Sequence, residues 1–120
     1  MKAKELVTEF YQSDALRNSE VIKQFLHDNM EFHWYSSKGF LKMDKNDLIE
    51  LSNEMYRSYT SSRINISHIL EEENKVSIRY SYFVTPFENP GEEVVLAHFM
   101  TIWELKDNKL YRGYQMSQLS

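Results

Sequence analysis

Among its 120 residues the chain has no cysteine. That excludes a disulfide framework, a thiolate nucleophile and a thiolate metal site together. Two prolines and three glycines leave little from which to build a flexible linker. No repeat or low-complexity tract divides the sequence, and its length suffices for one core and not for two. A single domain over residues 1–120 is therefore expected. Basic charge is in deficit as well: 14 Lys and Arg stand against 18 Asp and Glu, a formal net charge of -4. A general nucleic-acid binder needs a positive surface to displace counterions from phosphates, so no nucleic-acid partner is expected. No apolar run approaches the roughly 20 residues that span a bilayer. The opening MKAKELVTEFYQ lacks the unbroken apolar centre of a signal peptide. No membrane partner is expected, and the absence of sorting signals points to the cytoplasm. There is no Gly-rich phosphate loop and no Ser set in a nucleophile elbow. The four His show no i, i+4 pairing on a helix, so no metal site is expected. No cofactor is expected either.

Aromatic residues, by contrast, are abundant. Eight Tyr and seven Phe in so short a chain suit a β-rich core or an aromatic-lined cavity. Residues 3–15 carry Leu6, Val7, Phe10 and Tyr11 at helical spacing. Asn18 offers an N-cap oxygen to a second helix over Ser19–His27, with Val21, Ile22, Phe25 and Leu26 as its buried stripe. Met30–Ser36 alternates as a strand, and Phe40–Lys42 is a short extended piece after the turn at Lys38-Gly39. Asp44 caps a third helix running to about Tyr59, with Asp47 in its positive first turn. Its expected stripe is Leu48, Leu51, Met55, Tyr56 and Tyr59.

The remainder reads as a four-stranded meander. Arg63–Glu71 places Ile64, Ile66, His68 and Leu70 on one face. Lys75–Phe87 alternates more cleanly, with Val76, Ile78, Tyr80, Tyr82 and Val84 on one side. Val94–Leu105 is the central strand, and its polar residues His98, Thr101 and Glu104 interrupt an apolar run. Asp107-Asn108 suits a tight hairpin before the last strand, Leu110–Ser117. Helices gathered ahead of an antiparallel meander indicate an α+β fold: a curved antiparallel sheet with three helices across its concave face, cone-shaped and holding a pocket.

Two stretches carry a resemblance to a known family. His27–His33, with its acidic turn and first strand, and Trp103–Leu110, the closing hairpin, are similar to the SnoaL-like branch of the nuclear transport factor 2-like superfamily. That branch includes polyketide cyclases, ketosteroid isomerases, dehydratases and epoxide hydrolases. Asn108 stands where the family's hairpin usually has Gly, a tolerable change at a left-handed position. The resemblance covers nearly the whole chain, and it implies a fold more firmly than an activity.

It also implies candidate residues. His33 falls near the Asp base of isomerase-like members, and His98 near a strand His of cyclase-like members. Either could move a proton near neutral pH. Each could equally be structural: His33 as a partly exposed strand residue beside Glu31, His98 as a core histidine bonded to a neighbour. Gln115 replaces an acidic residue of the cyclase mechanism, so it could orient a ligand but not exchange protons. Tyr56, Tyr80 and Tyr82 could line the pocket and reach a ligand oxygen, or simply pack. Three readings stay open. The first is a binding protein for a small hydrophobic molecule; the second a cofactor-free isomerase, dehydratase or cyclase using His33 or His98. The third is an interaction module. In each case a homodimer is expected, paired through an outer sheet face carrying Arg79, Ser81, Phe83 and Thr85. One of the two histidines is expected to share a cavity with Tyr80, Tyr82 or Gln115.

Overall fold

The structure, a computed structural model, describes residues 2–120. Helix α1 spans Ala3–Gln12 and buries Leu6, Val7, Phe10 and Tyr11. A 3-10 turn at Ala15–Arg17 leads to α2, Ser19–Phe25, whose first amides at Glu20 and Val21 donate to the Asn18 side chain. Strand β1 then runs Leu26–Ser36 and β2 Gly39–Met43. Helix α2 ends earlier than its apolar pattern suggests because Leu26 already pairs in the sheet, with Leu110. Helix α3, Lys45–Ser58, starts on a reciprocal capping box between Asp44 and Asp47. Four strands follow: β3 Tyr59–Glu72, β4 Lys75–Pro86, β5 Val94–Lys106 and β6 Lys109–Leu119.

The six strands form one sheet in the order β2-β1-β6-β5-β4-β3. It is antiparallel throughout except where β1 lies parallel to β6. That one pair makes the sheet mixed, where the sequence suggests a purely antiparallel one. Asp107 and Asn108 turn β5 into β6 with φ of 55° and 57°. Both central residues therefore sit in the left-handed region that a tight hairpin demands and that Asn tolerates.

Alternation along β4 fixes the two faces. Val76, Ile78, Tyr80, Tyr82 and Val84 are buried; Ser77 and Arg79 are exposed. The buried set joins Phe10, Tyr11, Ile22, Leu48, Phe32 and Trp103 in one core between the helices and the inner sheet face. Trp103 and Phe32 stack at 5.2 Å, with Phe10 edge-on to Trp103 at 6.1 Å. Among the described residues no helix covers the outer face, where Arg79, Met100 and Ile102 are exposed.

Bulges reset which side chains face inward. Register shifts between Ile66 and His68 in β3, so Ile69 turns toward the core while His68 and Leu70 are exposed. The shared face expected for Ile64, Ile66, His68 and Leu70 is broken at that point. In α3 the stripe is narrower than expected. Tyr56 lies about 80° around the helix from Leu48 and is 62% exposed. Ser52 takes the inward position and donates to the Ala15 carbonyl at 3.0 Å. Among the described residues no helix is long and apolar enough to cross a membrane.

Candidate functional site

Between the helices and the inner sheet face lies a cavity of about 110 Å³. Its walls are apolar side chains of α1, α3 and the sheet, among them Phe10, Leu48, Met55, Phe32 and Phe99. Its polar edge is made by Tyr11, Tyr80, Tyr82 and Gln115, with Trp34 and Trp103 beside them. Among the described residues no carboxylate, imidazole, ammonium or guanidinium lines it. Two larger depressions, of about 710 and 620 Å³, are open grooves along α1 and across the outer sheet face.

The polar edge holds two separate hydrogen-bonded groups, one around Gln115 and one between Trp103 and Tyr11. Gln115 Oε1 accepts from Thr101 Oγ1 at 2.7 Å and from Tyr80 Oη at 3.4 Å. Trp103 Nε1 donates to Tyr11 Oη at 2.9 Å. Tyr80 stacks on Phe99 at 4.9 Å, which fixes the ring against the cavity wall. Burial in this apolar setting disfavours the phenolate. It pushes Tyr11 up to about 12, although the hydrogen bond from Trp103 opposes the shift. Burial, reinforced by the neighbouring Tyr11, holds Tyr80 well above the ordinary phenol value. Burial raises Tyr82 as well. At neutral pH all three are neutral, protonated phenols.

Of the residues singled out in the sequence, Tyr80, Tyr82 and Gln115 meet at this cavity. Tyr56 does not: it is exposed on α3, with the Arg17 guanidinium 5.4 Å from its ring centre. Neither His33 nor His98 lines the inner cavity, because both point to the opposite face of the sheet; His33 instead borders the outer groove, whose lining also includes Gln115. His98 pairs across strands with Ser81, and its Nδ1 lies 2.8 Å from Ser81 Oγ in an exposed position. His33 lies beside Glu31 at 3.3 Å and edge-on to Tyr114, on the rim of the outer groove. Glu31 gathers His33, Lys42 and Arg112 within 4 Å. The hydrogen bond from His33, then the Lys42 charge, hold its carboxyl below the usual range. The strand period of two explains the outcome for His98: Trp103, Thr101, Phe99 and Ala97 share a face, and His98 falls between the last two. Thr101 faces inward by the same parity and supports the site through its hydrogen bond to Gln115, although its hydroxyl attracts less notice than an imidazole. Among the described residues no group of three His, Cys, Asp or Glu could hold a metal ion.

Three helices over one face of a mostly antiparallel six-stranded sheet, with an inner cavity between them, make a fold shared with solved structures described as SnoaL-like polyketide cyclases. The structure of IdmH from Streptomyces antibioticus, a proposed polyketide cyclase, matches it with a TM-score of 0.79. Identity is 10%, over 98% of this chain and 92% of that one. An epoxide hydrolase of the LEH-like type from M. tuberculosis matches at 0.73, with 15% identity over 96% and 81%. A proposed SnoaL-like polyketide cyclase from Shewanella denitrificans matches at 0.73, with 11% identity over 96% and 89%. No protein-family model matches the sequence, and no curated protein does. At these identities the likeness is one of fold.

Proposed function

We propose that this chain is a cytoplasmic, single-domain binding protein for a small, neutral, largely apolar molecule, working as a homodimer. The observation that carries the reading is the composition of the inner cavity: apolar walls, a hydrogen-bonding edge and no ionisable group but tyrosine. Proton abstraction at neutral pH asks for a base whose pKa lies near the operating pH. Tyrosines with raised pKa values cannot serve. Gln115 can orient an oxygen and exchanges no proton. Proton-transfer chemistry by a histidine in this cavity is disfavoured by the outward placement of His33 and His98. A purely structural module would have no use for a cavity edged by polar side chains, and a well-packed core leaves few such voids.

The size also speaks. An apolar cavity of about 150 Å³ accommodates benzene in an engineered protein, so this one suits a ring or chain of about five carbons. The test is calorimetric titration of the purified protein with cyclopentanone, together with native mass spectrometry for a carried-over molecule. Saturable one-to-one binding is expected, and it should persist in His33→Ala and His98→Ala. Failure of the probe to bind, with no mass adduct, removes the reading.

A further inference from the structure

Tyr82 occupies a different place from the other tyrosines of the cavity. Its ring is 97% withdrawn from solvent, yet its hydroxyl has no hydrogen-bond partner among the described residues. A buried hydroxyl without a partner is disfavoured by the loss of its hydration. Neighbouring groups are engaged elsewhere. The Ser62 hydroxyl donates to Asp14 Oδ1 at 2.8 Å, and Asp14 Oδ2 accepts from Arg17 Nη2 at 3.0 Å. Asp14 and Arg17 thus neutralise each other, and Ser62 donates its proton to that pair while its oxygen stays free to accept.

Tyr82 also borders a second, larger and more polar space. A cleft of about 240 Å³ lies beside the cavity, lined by Gln12, Asp14, Ser62 and Ile64. Tyr11, Leu16 and Tyr82 line both spaces, so these three side chains form the wall between them. One side of that wall is apolar and the other polar. Tyr82 lines the cavity as well as the cleft, so a molecule seated in the cavity with an oxygen at this wall borders the side chain that carries the unpartnered phenol.

We propose that Tyr82 Oη is the donor that selects the ligand of the inner cavity. The ligand class is then a compact hydrocarbon body bearing one neutral acceptor oxygen, a ketone being the simplest case, with the oxygen directed at the wall shared with the Asp14–Ser62 cleft. This rests on the binding function proposed above and adds the chemistry of selection to it. A neutral oxygen fits better than a carboxylate. The cavity offers an anion no cation, and the nearby Arg17 charge is already matched by Asp14.

Three probes of similar shape separate the possibilities: cyclopentanone, methylenecyclopentane and cyclopentanecarboxylate. In the unaltered protein the ketone should bind about tenfold more tightly than the hydrocarbon, the scale of one hydrogen bond to a buried donor, and the carboxylate should bind weakest. Tyr82→Phe should bring ketone and hydrocarbon to equal affinity. It removes only an unpartnered hydroxyl, so its thermal midpoint should stay level or rise. Gln115→Met and Tyr11→Phe are the comparisons, because the Gln115 amide and the Tyr11 hydroxyl are the other donors at the cavity edge. If the ketone preference is absent from the unaltered protein, survives in Tyr82→Phe, or disappears only in Gln115→Met or Tyr11→Phe, the assignment to Tyr82 is overturned while the cavity function stands. A carboxylate that binds most tightly overturns the ligand class. If no probe binds, the cavity function fails and this inference fails with it.

Discussion

Gly113 shows how one residue sets the inner face. It lies on β6 opposite Trp103, in register with Phe32 on β1. A Cβ built there would press into the Phe32 ring and come within 2.7 Å of Trp103 Cζ3. Neither ring can retreat, because each is stacked on the other. Gly113→Ala should therefore destabilise the protein by about 1–3 kcal/mol, the usual range for overpacking, read as a lower urea midpoint with an unchanged slope. The buried tyrosines make a second residue-level prediction, for alkaline pH. Tyr11 ionises near 12 in the folded chain against an ordinary 10, so the unfolded chain releases its proton first. The stability this contributes is complete below pH 10 and falls as pH rises from 10 through 12. A tyrosinate absorbance titration at 295 nm should show the last phenols ionising together with loss of circular dichroism. If they ionise near 10 in the folded state, Tyr11 is not held as described. The identity of these site residues was only partly legible in the sequence. Parity along a strand places Tyr80 and Tyr82 together and, counted from Trp103, separates His98 from them. Chemical type alone favours the imidazoles, and it is parity that decides which way a strand side chain points.

The elements were mostly readable, because each carries its own local signal. Asn18 and Asp44 both cap helices as their side chains suggest. Asp44 accepts from the Asp47 amide at 2.9 Å, and Asp47 accepts from the Asp44 amide at the same distance. Asp44→Ala removes half of that reciprocal pair. It should cost about 1 kcal/mol, the typical worth of an N-cap, with Asp44→Asn retaining most of the stability; equal losses in both would show that charge rather than capping matters. The bulges were not legible. A single extra residue at Ser67 in β3, or beside Leu96 in β5, leaves the composition of a strand untouched while reversing which side chains face inward beyond it. The parallel pairing of β1 with β6 was not legible either. The pairing joins residues about 80 positions apart, and nothing local to either strand records it. Tyr56 went astray for a related reason: helical spacing admits it to the stripe, and only the rotation of α3 against the sheet excludes it.

At the scale of the molecule the uncovered outer sheet face is the feature that asks for a partner. Met100 pairs across strands with Met116, and Ile102 with Tyr114, so four apolar side chains form one block on β5 and β6. Met100 is 60% and Met116 66% exposed, and Tyr35 and Leu70 extend the patch. Monomers seldom keep contiguous apolar surface of this extent free. The block sits one to two strands from the stripe that the sequence suggested. On that stripe Phe83 is partly covered, with the Arg63 guanidinium 4.2 Å above its ring, and Phe99 faces inward to the cavity. A second copy brought in by a two-fold axis would set the block against itself, since such an interface uses the same patch on both partners. Met100→Lys combined with Met116→Lys would then place like charges in the centre of the contact, directly opposite one another on adjacent strands. The unaltered protein should sediment as a dimer at micromolar concentration. The double variant should sediment as a monomer with the same circular dichroism, its dimer dissociation constant raised at least about tenfold, because each Met removed from a buried interface is worth on the order of 1.5–3 kcal/mol. The inner cavity lies on the other side of the sheet, so cyclopentanone should bind the monomeric variant as it binds the parent. A parent protein that sediments as a monomer, or a double variant that remains dimeric, would show that this face is not where two copies meet.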